Sequence, residues 1–239
     1  PLCKSGGLAD VVFALSKELI KKGDEVVVVL PYYTAIKKKN LKVEDKGSIH
    51  VQMSWRNQGA EVFETTIDNV RFLLIEHNYY FERNNLYGYD DDGERFAFFA
   101  LASMETLKLI GFKPDVAHLH DWQSAMVSTL IKEQKDPYFK NTKTVLTIHN
   151  PAFKGYLDKY FLNNYFNLSD EIFDNGKVRL DGLVSTLKAG IVYADAVTTV
   201  SPTHRNELLT PELGQGLDHI LEMRKGTFTG IANGIDRYF

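Results

Sequence analysis

Apolar positions at Leu8, Val11, Val12, Leu15 and Leu19 recur at the spacing of one helix face, and Gly23 follows as a stop signal. Glu25–Leu30 then reads EVVVVL, a nearly continuous β-branched run of the kind carried by a strand buried on both faces. The basic stretch Lys37-Lys38-Lys39 reads as a solvated loop. Ile49–Trp55, Glu61–Ile67 and Val70–Glu76 alternate more strongly, which predicts three strands in an antiparallel excursion. A long helix is expected over Asp91–Ile110. Phe96, Phe99, Ala100 and Leu107 form its apolar stripe, Asp91 and Glu94 have capping-box spacing, and Gly111 is the stop. The pattern continues with a strand at Asp115–Leu119, a helix at Trp122–Lys132, a strand at Thr144–Ile148 and a helix over Val178–Tyr193. A strand at Ala196–Val200, helices at Pro202–Leu209 and Gly216–Arg224, and a strand at Phe228–Ala232 complete it. Such alternation predicts a doubly wound, mostly parallel α/β sheet of the Rossmann-like kind. No repeat, low-complexity tract or flexible linker interrupts it, so one domain is the simplest organisation.

Composition adds limits. The 239 residues fit one large or two small domains, and the 44% apolar share supplies a sizeable core. The formal net charge is −3 with both signs interspersed, so bulk electrostatics point to no nucleic-acid partner. Cys3 is the single cysteine; it excludes an internal disulfide and fits a reducing, cytoplasmic setting. No window approaches the roughly 18 consecutive apolar residues of a membrane span. Pro1 is not an initiator methionine and no secretory signal is visible, so the N-terminus is expected to be incomplete or processed.

Candidate chemistry begins at Lys4-Ser5-Gly6-Gly7, directly before the first helix. Unpaired N–H groups and a partial positive charge at a helix N-terminus, close backbone approach through glycine, and a neighbouring ammonium together suit a diphosphate. A plain tight turn is the competing reading. The spacing is neither G-x-G-x-x-G nor G-x-x-x-x-G-K-[ST], so the dinucleotide fingerprint and the P-loop are both excluded. His118-Leu119-His120-Asp121-Trp122 closes a strand, where ligands of open α/β sheets gather. His118 and His120 share a face and are open to three readings: a metal pair, polar residues finishing a strand, or a hydrogen bond from His120 to a substrate hydroxyl. Asp90-Asp91-Asp92 is either a helix cap or a metal-holding D-x-D. Asn233-Gly234 is a strand-end turn on its local pattern.

These motifs, in this order, resemble bacterial glycogen synthases and plant starch synthases. Lys4–Val11 with Val28–Pro31 matches the family's K-[ST]-G-G-L-x-D-V helix and VVLP strand. His118–Trp122, Thr147–Asn150, Leu187–Gly190 with Tyr193–Asp195, Val200–Thr203 and Gly230–Asp236 match later segments. The resemblance implies that Lys4, Gly6 and Gly7 receive the diphosphate of the glucose donor, usually ADP-glucose, with Asp10 as a site-ordering carboxylate. It implies that His120 touches the transferred glucose, that Asp91 lines the acceptor and donor-sugar site, with Asp92 beside it, and that Asn150 and Asn233 approach the substrates. Lys154 stands where family members commonly carry Gln; it either alters acceptor contacts or points into solvent.

The implied fold is the N-terminal lobe of a two-lobed glycosyltransferase-B architecture. Residues 1–232 form the lobe and 233–239 begin the connection to an absent C-terminal lobe. The implied reaction adds glucose to the 4-position of an α-1,4-glucan with retained anomeric configuration and no metal or other cofactor, and the piece alone is expected to be inactive. The family also has a strand before the Lys-Gly-Gly loop, near the middle of the sheet; without it a gap or a substitute strand is expected there. A non-catalytic lobe binding glucan or nucleotide, and a metal-dependent enzyme built on His118 and His120, are the alternatives. No membrane or nucleic-acid partner is expected.

Overall fold

A computed structural model of the chain describes residues 2–234. Helix α1 (Leu8–Lys21) leads into strand β1 (Val27–Pro31), the one-turn helix α2 (Thr34–Lys37), and strands β2 (Glu44–Met53), β3 (Arg56–Ile67) and β4 (Val70–Glu76). Helices α3 (Asn78–Phe81) and α4 (Asp92–Leu109) follow, then β5 (Val116–His120), α5 (Asp121–Gln134) and β6 (Lys143–Ile148). A segment of short pieces comes next: β7 (Tyr156–Leu157), α6 (Phe161–Asn164), α7 (Glu171–Asp174), β8 (Arg179–Leu180) and β9 (Leu183–Ser185). Helix α8 (Thr186–Tyr193), β10 (Ala196–Thr199), α9 (Pro202–Leu208), α10 (Asp218–Met223) and β11 (Phe228–Gly230) close the described chain.

The strands form two four-stranded sheets and a small third one, where the alternation predicts a single doubly wound sheet. The first sheet has the order β1-β4-β3-β2, with β1 parallel to β4 and the other pairs antiparallel, as the alternating runs predict. The second, β11-β10-β6-β5, is parallel throughout. Among the described residues, β1 and β5 each have one edge without a ladder partner. The apolar face of helix α1 is only partly covered; Phe13 meets Phe72 of β4 at 6.2 Å between ring centroids, and Ser16 is the one buried residue of the helix.

The core runs continuously through both large sheets. Beneath α4 it is aromatic: Tyr80, Phe81 and Phe98 are fully buried, with centroids 4.9 to 6.2 Å apart. Helices α5 and α8 pack closely because Gly190 has no side chain. A Cβ there would stand 2.7 Å from Ala125 Cβ and 2.8 Å from Leu146 Cδ2.

Three expectations need correction. Lys37 is not in a solvated loop: it closes α2 and forms a partly buried ion pair with Glu76 at 2.6 Å. Asp91 and Glu94 form no capping box, since no side chain caps α4 and both carboxylates pair elsewhere. The run Val178–Tyr193 is helical only from Thr186; its first half is the β8–β9 hairpin, turned at Asp181 and Gly182, both with left-handed φ. No helix among the described residues is long and apolar enough to cross a membrane.

Replacing Gly190 with Ala overpacks the α5–α8 contact and is expected to cost about 1–3 kcal/mol, read as a lower denaturant midpoint with unchanged slope.

Candidate active site

The parallel sheet directs its carboxyl ends to one side, and the chemistry-bearing residues meet there. Strand β5 runs into α5 without a loop, at Asp121, whose φ of 56° lies in the left-handed region. Aspartate is among the few non-glycine residues that adopt this conformation readily. The bend turns the carboxylate toward the end of β6. Asp121 Oδ1 accepts the backbone N–H of His149 at 2.7 Å and of Asn150 at 3.1 Å. Ser124 ties the first turn of α5 back to the strand, accepting from the His120 N–H at 2.7 Å and donating to the His120 carbonyl at 2.9 Å.

With the two strand ends joined, three imidazoles meet. His120 Nδ1 and His149 Nε2 share a hydrogen bond of 3.0 Å, and the rings of His118 and His120 lie 4.2 Å apart. His118 Nε2 bonds to Thr147 Oγ1 at 2.6 Å, and that hydroxyl reaches Thr198 Oγ1 at 2.6 Å, so the network crosses β5, β6 and β10. The surrounding protein desolvates the rings and each disfavours charge on its neighbours. His118 is pushed down to about 4, and His120 lies well below the usual histidine range. Burial lowers His149 too, against the pull of Asp121, whose own carboxyl is raised by burial. Neutral rings let one N–H donate to the facing lone pair, whereas two imidazolium rings would oppose N–H to N–H. Among the described residues, Nε2 of His120 has no protein partner. The array therefore presents a neutral imidazole with one ring nitrogen outside the hydrogen bond to His149. No group of three or more His, Cys, Asp or Glu among the described residues is arranged to hold a metal ion.

The acidic run is ordered from within. Arg95, fully buried, donates to Asp92 Oδ1 at 2.5 Å, to the Tyr80 carbonyl at 2.6 Å and to the Leu86 carbonyl at 3.3 Å. Asp92 Oδ2 also accepts the Gly88 N–H at 2.6 Å. Asp91 forms a two-pronged pair with Arg83 at 2.7 and 3.0 Å, and that bonding holds its carboxyl below the usual carboxylate range. A cavity of about 460 Å³ adjoins the junction, lined by Asp90, Asp92, Trp122, Lys154 and Tyr156 among others. Lys154 does not point into solvent. Its side chain is buried and donates to the Pro151 carbonyl, and burial lowers its pKa. Gly155 beside it is required: with φ of 62°, a Cβ would fall 2.0 Å from Thr186 Oγ1.

Of the remaining candidates, Asn150 touches this cluster, through its backbone N–H on Asp121. Lys4 Nζ donates to Asp10 Oδ2 at 3.0 Å in an exposed pair on the first turn of α1. A Cβ on Gly6 or Gly7 meets nothing within 4 Å, and neither residue has a left-handed φ, so neither packing nor backbone geometry demands glycine there. Asn150 is exposed, its Oδ1 accepting the Ala152 N–H at 3.0 Å. Asn233 is exposed beyond β11, and Ile235 and Asp236 of its motif lie outside the described residues. Neither Lys4 nor His120 lines the Asp92–Lys154 cavity. His149, Asp121 and Arg95 were not singled out as site residues from the sequence. The available signal was that two neighbouring parallel strands both end in histidine followed by Asp or Asn.

A parallel α/β unit with a polar site at its strand ends is a general ligand-binding arrangement of open α/β sheets, and comparison with known proteins narrows it. Residues 1–223 match the family model described as the starch synthase catalytic domain. The chain is 44% identical to a glycogen synthase of Streptococcus agalactiae and 43% identical to one of Streptococcus pneumoniae, over 99% of its own length and 50% of theirs. The catalytic domain of starch synthase IV from Arabidopsis thaliana, bound to ADP and acarbose, superposes with a TM-score of 0.92 at 30% identity, again over 99% of this chain and 50% of that one. The chain belongs to the starch synthase catalytic-domain family, and it spans about half the length of the relatives it matches.

The lowered histidine pKa values set the sign of a pH effect. Between about 6.5 and 4 the unfolded chain binds more protons than the folded one, so the contribution is complete above pH 6.5 and is lost as pH falls. Tm is expected to drop across this window, with a shallower drop for His118→Gln.

Proposed function

We propose that the protein containing this chain transfers glucose from ADP-glucose to the non-reducing 4-hydroxyl of an α-1,4-glucan, with this chain as its N-terminal lobe. The observation that carries the reading is the neutral His120–His149 pair fixed by Asp121, in a chain 44% identical to a glycogen synthase. A neutral His120 accepts or donates one hydrogen bond to a sugar hydroxyl and steadies the ring while positive charge builds at the anomeric carbon. The exposed turn at Gly6 and Gly7, with Lys4 and Asp10 beside it, takes the donor diphosphate through backbone N–H groups. Its unexplained glycines support this, because close ligand approach is the remaining reason for them. Asp91 and Asp92 shape the wall beside the sugar through their arginine partners, and Asn150 and Asn233 approach the substrates.

A strand laid along the free edges of β1 and β5 belongs to the same reading, as does a C-terminal lobe supplying most nucleotide contacts. Charge stabilisation at the leaving diphosphate by this lobe alone is open to water, where it is weakest.

The test is transfer from ADP-glucose to maltooligosaccharide. The full-length protein is expected to turn over, and His120→Ala to lose about 10²-fold or more in kcat. Gly7→Ala is expected to keep stability within about 0.5 kcal/mol while raising the donor KM. Absence of transfer by the full-length protein, with glucan affinity intact in Lys4→Ala, would favour a non-catalytic glucan-binding lobe.

A further inference from the structure

Two buried cations stand near the candidate active site, and the protein answers them differently. Arg95 has the Asp92 carboxylate and the Tyr80 and Leu86 carbonyls as acceptors. Lys154 is 8% exposed, yet its ammonium donates to one protein acceptor, the Pro151 carbonyl. Among the described residues no carboxylate pairs with it. Asp181 attracts it without reaching ion-pair distance, and accepts from the Tyr156 hydroxyl instead. An ammonium carries three N–H groups, so two of them have no protein partner. A buried charge held this loosely costs stability.

The residue carrying it is pinned in place. The Lys154 carbonyl accepts from Ser185 Oγ at 2.7 Å and from the Leu187 N–H at 3.1 Å, at the start of α8. The next carbonyl, of Gly155, accepts the Thr186 N–H at 3.1 Å. Lys154 thus forms part of the wall of the cavity of about 460 Å³ that begins at Trp122, the residue after Asp121. Asp90, Asp92 and Asp158 line the same cavity. Asp92 is answered by Arg95, whereas Asp90 and Asp158 have no paired cation among the described residues. Two unanswered carboxylates beside one ammonium oppose an anion. They fit a neutral ligand rich in hydroxyls, whose oxygens accept from Lys154 and whose O–H groups donate to the aspartates.

We propose that Lys154 is a specificity-determining residue of this site: its two free N–H groups bind hydroxyl oxygens of a neutral sugar in the cavity, at a cost in stability to the ligand-free lobe. That the sugar is the terminal glucose of an α-1,4-glucan rests on the synthase reading; the unfilled donors do not.

The test pairs transfer kinetics of the full-length protein with maltoheptaose titration by calorimetry and with thermal melts. Lys154→Met keeps the length of the side chain and removes the donors. It is expected to raise the maltoheptaose KM and Kd roughly tenfold or more, to leave the ADP-glucose KM unchanged, and to keep or raise the ligand-free Tm. Lys154→Gln, which keeps two N–H groups, is expected to recover most of the affinity. A maltoheptaose KM and Kd within about twofold of wild type in Lys154→Met overturns the proposal. So does weakened binding together with a lower Tm in both variants, which makes Lys154 a strut of the loop. A Tm raised by inorganic phosphate in the wild type but not in Lys154→Met makes the cavity an anion site and likewise overturns it. The transfer assay separates the two readings. Maltoheptaose affinity that depends on Lys154 in a protein without transfer activity removes the synthase and keeps this site. Transfer activity with KM and Kd indifferent to Lys154 does the reverse.

Discussion

One carboxylate oxygen organises the candidate active site. Asp121 Oδ1 accepts two consecutive backbone N–H groups from the end of β6 while its own residue makes the left-handed bend that ends β5. That junction brings two parallel strand ends together and places His149 against His120 at 3.0 Å. Without it, the N–H groups of His149, which is part-buried, and of Asn150, which is exposed, would lose this acceptor and the tie between the two strand ends. The residue's position in a sparsely populated backbone region is the kind of local strain that persists only where surrounding structure enforces it.

Arginines do for the acidic run what Asp121 does for the strand ends. Arg95 contributes no exposed surface, yet it fixes Asp92, the Tyr80 carbonyl of α3 and the Leu86 carbonyl of the loop that follows α3. Removing one partner of such a buried pair is far costlier than the pair's net contribution to stability. The charges of Asp91 and Asp92 are thus already answered within the lobe. The sequence left that open between a helix cap, a metal-holding motif and a substrate contact, because nothing in a run of three aspartates reveals which cations fold against it.

Much of the fold was readable. The helix periods at Leu8–Leu19 and Phe96–Leu107, the EVVVVL run and the alternating strands up to Glu76 all correspond to observed elements. The failures have physical causes. Val178–Tyr193 carries helix-forming residues in its second half, but the left-handed turn at Asp181-Gly182 favours a hairpin in the first. Lys37 reads as part of a charge run, and only tertiary contact with Glu76, far along the chain, distinguishes it from its neighbours. In the site, His120 was legible because it stands at the carboxyl end of a strand with a second histidine two residues before it on the same face. His149 and Asp121 act through a contact between elements 28 residues apart, and Lys154 was ambiguous until its side chain proved to be buried against Pro151.

The central claim is that Asp121 positions His120 and His149 through Oδ1 alone, and glucosyl transfer by Asp121→Asn and Asp121→Ala variants of the full-length protein tests it most directly. Asparagine keeps the accepting oxygen and tolerates the left-handed backbone, so Asp121→Asn should retain most of the activity and Asp121→Ala should lose about 10²-fold or more. Equal activity in the two variants, whether both active or both dead, would contradict the account.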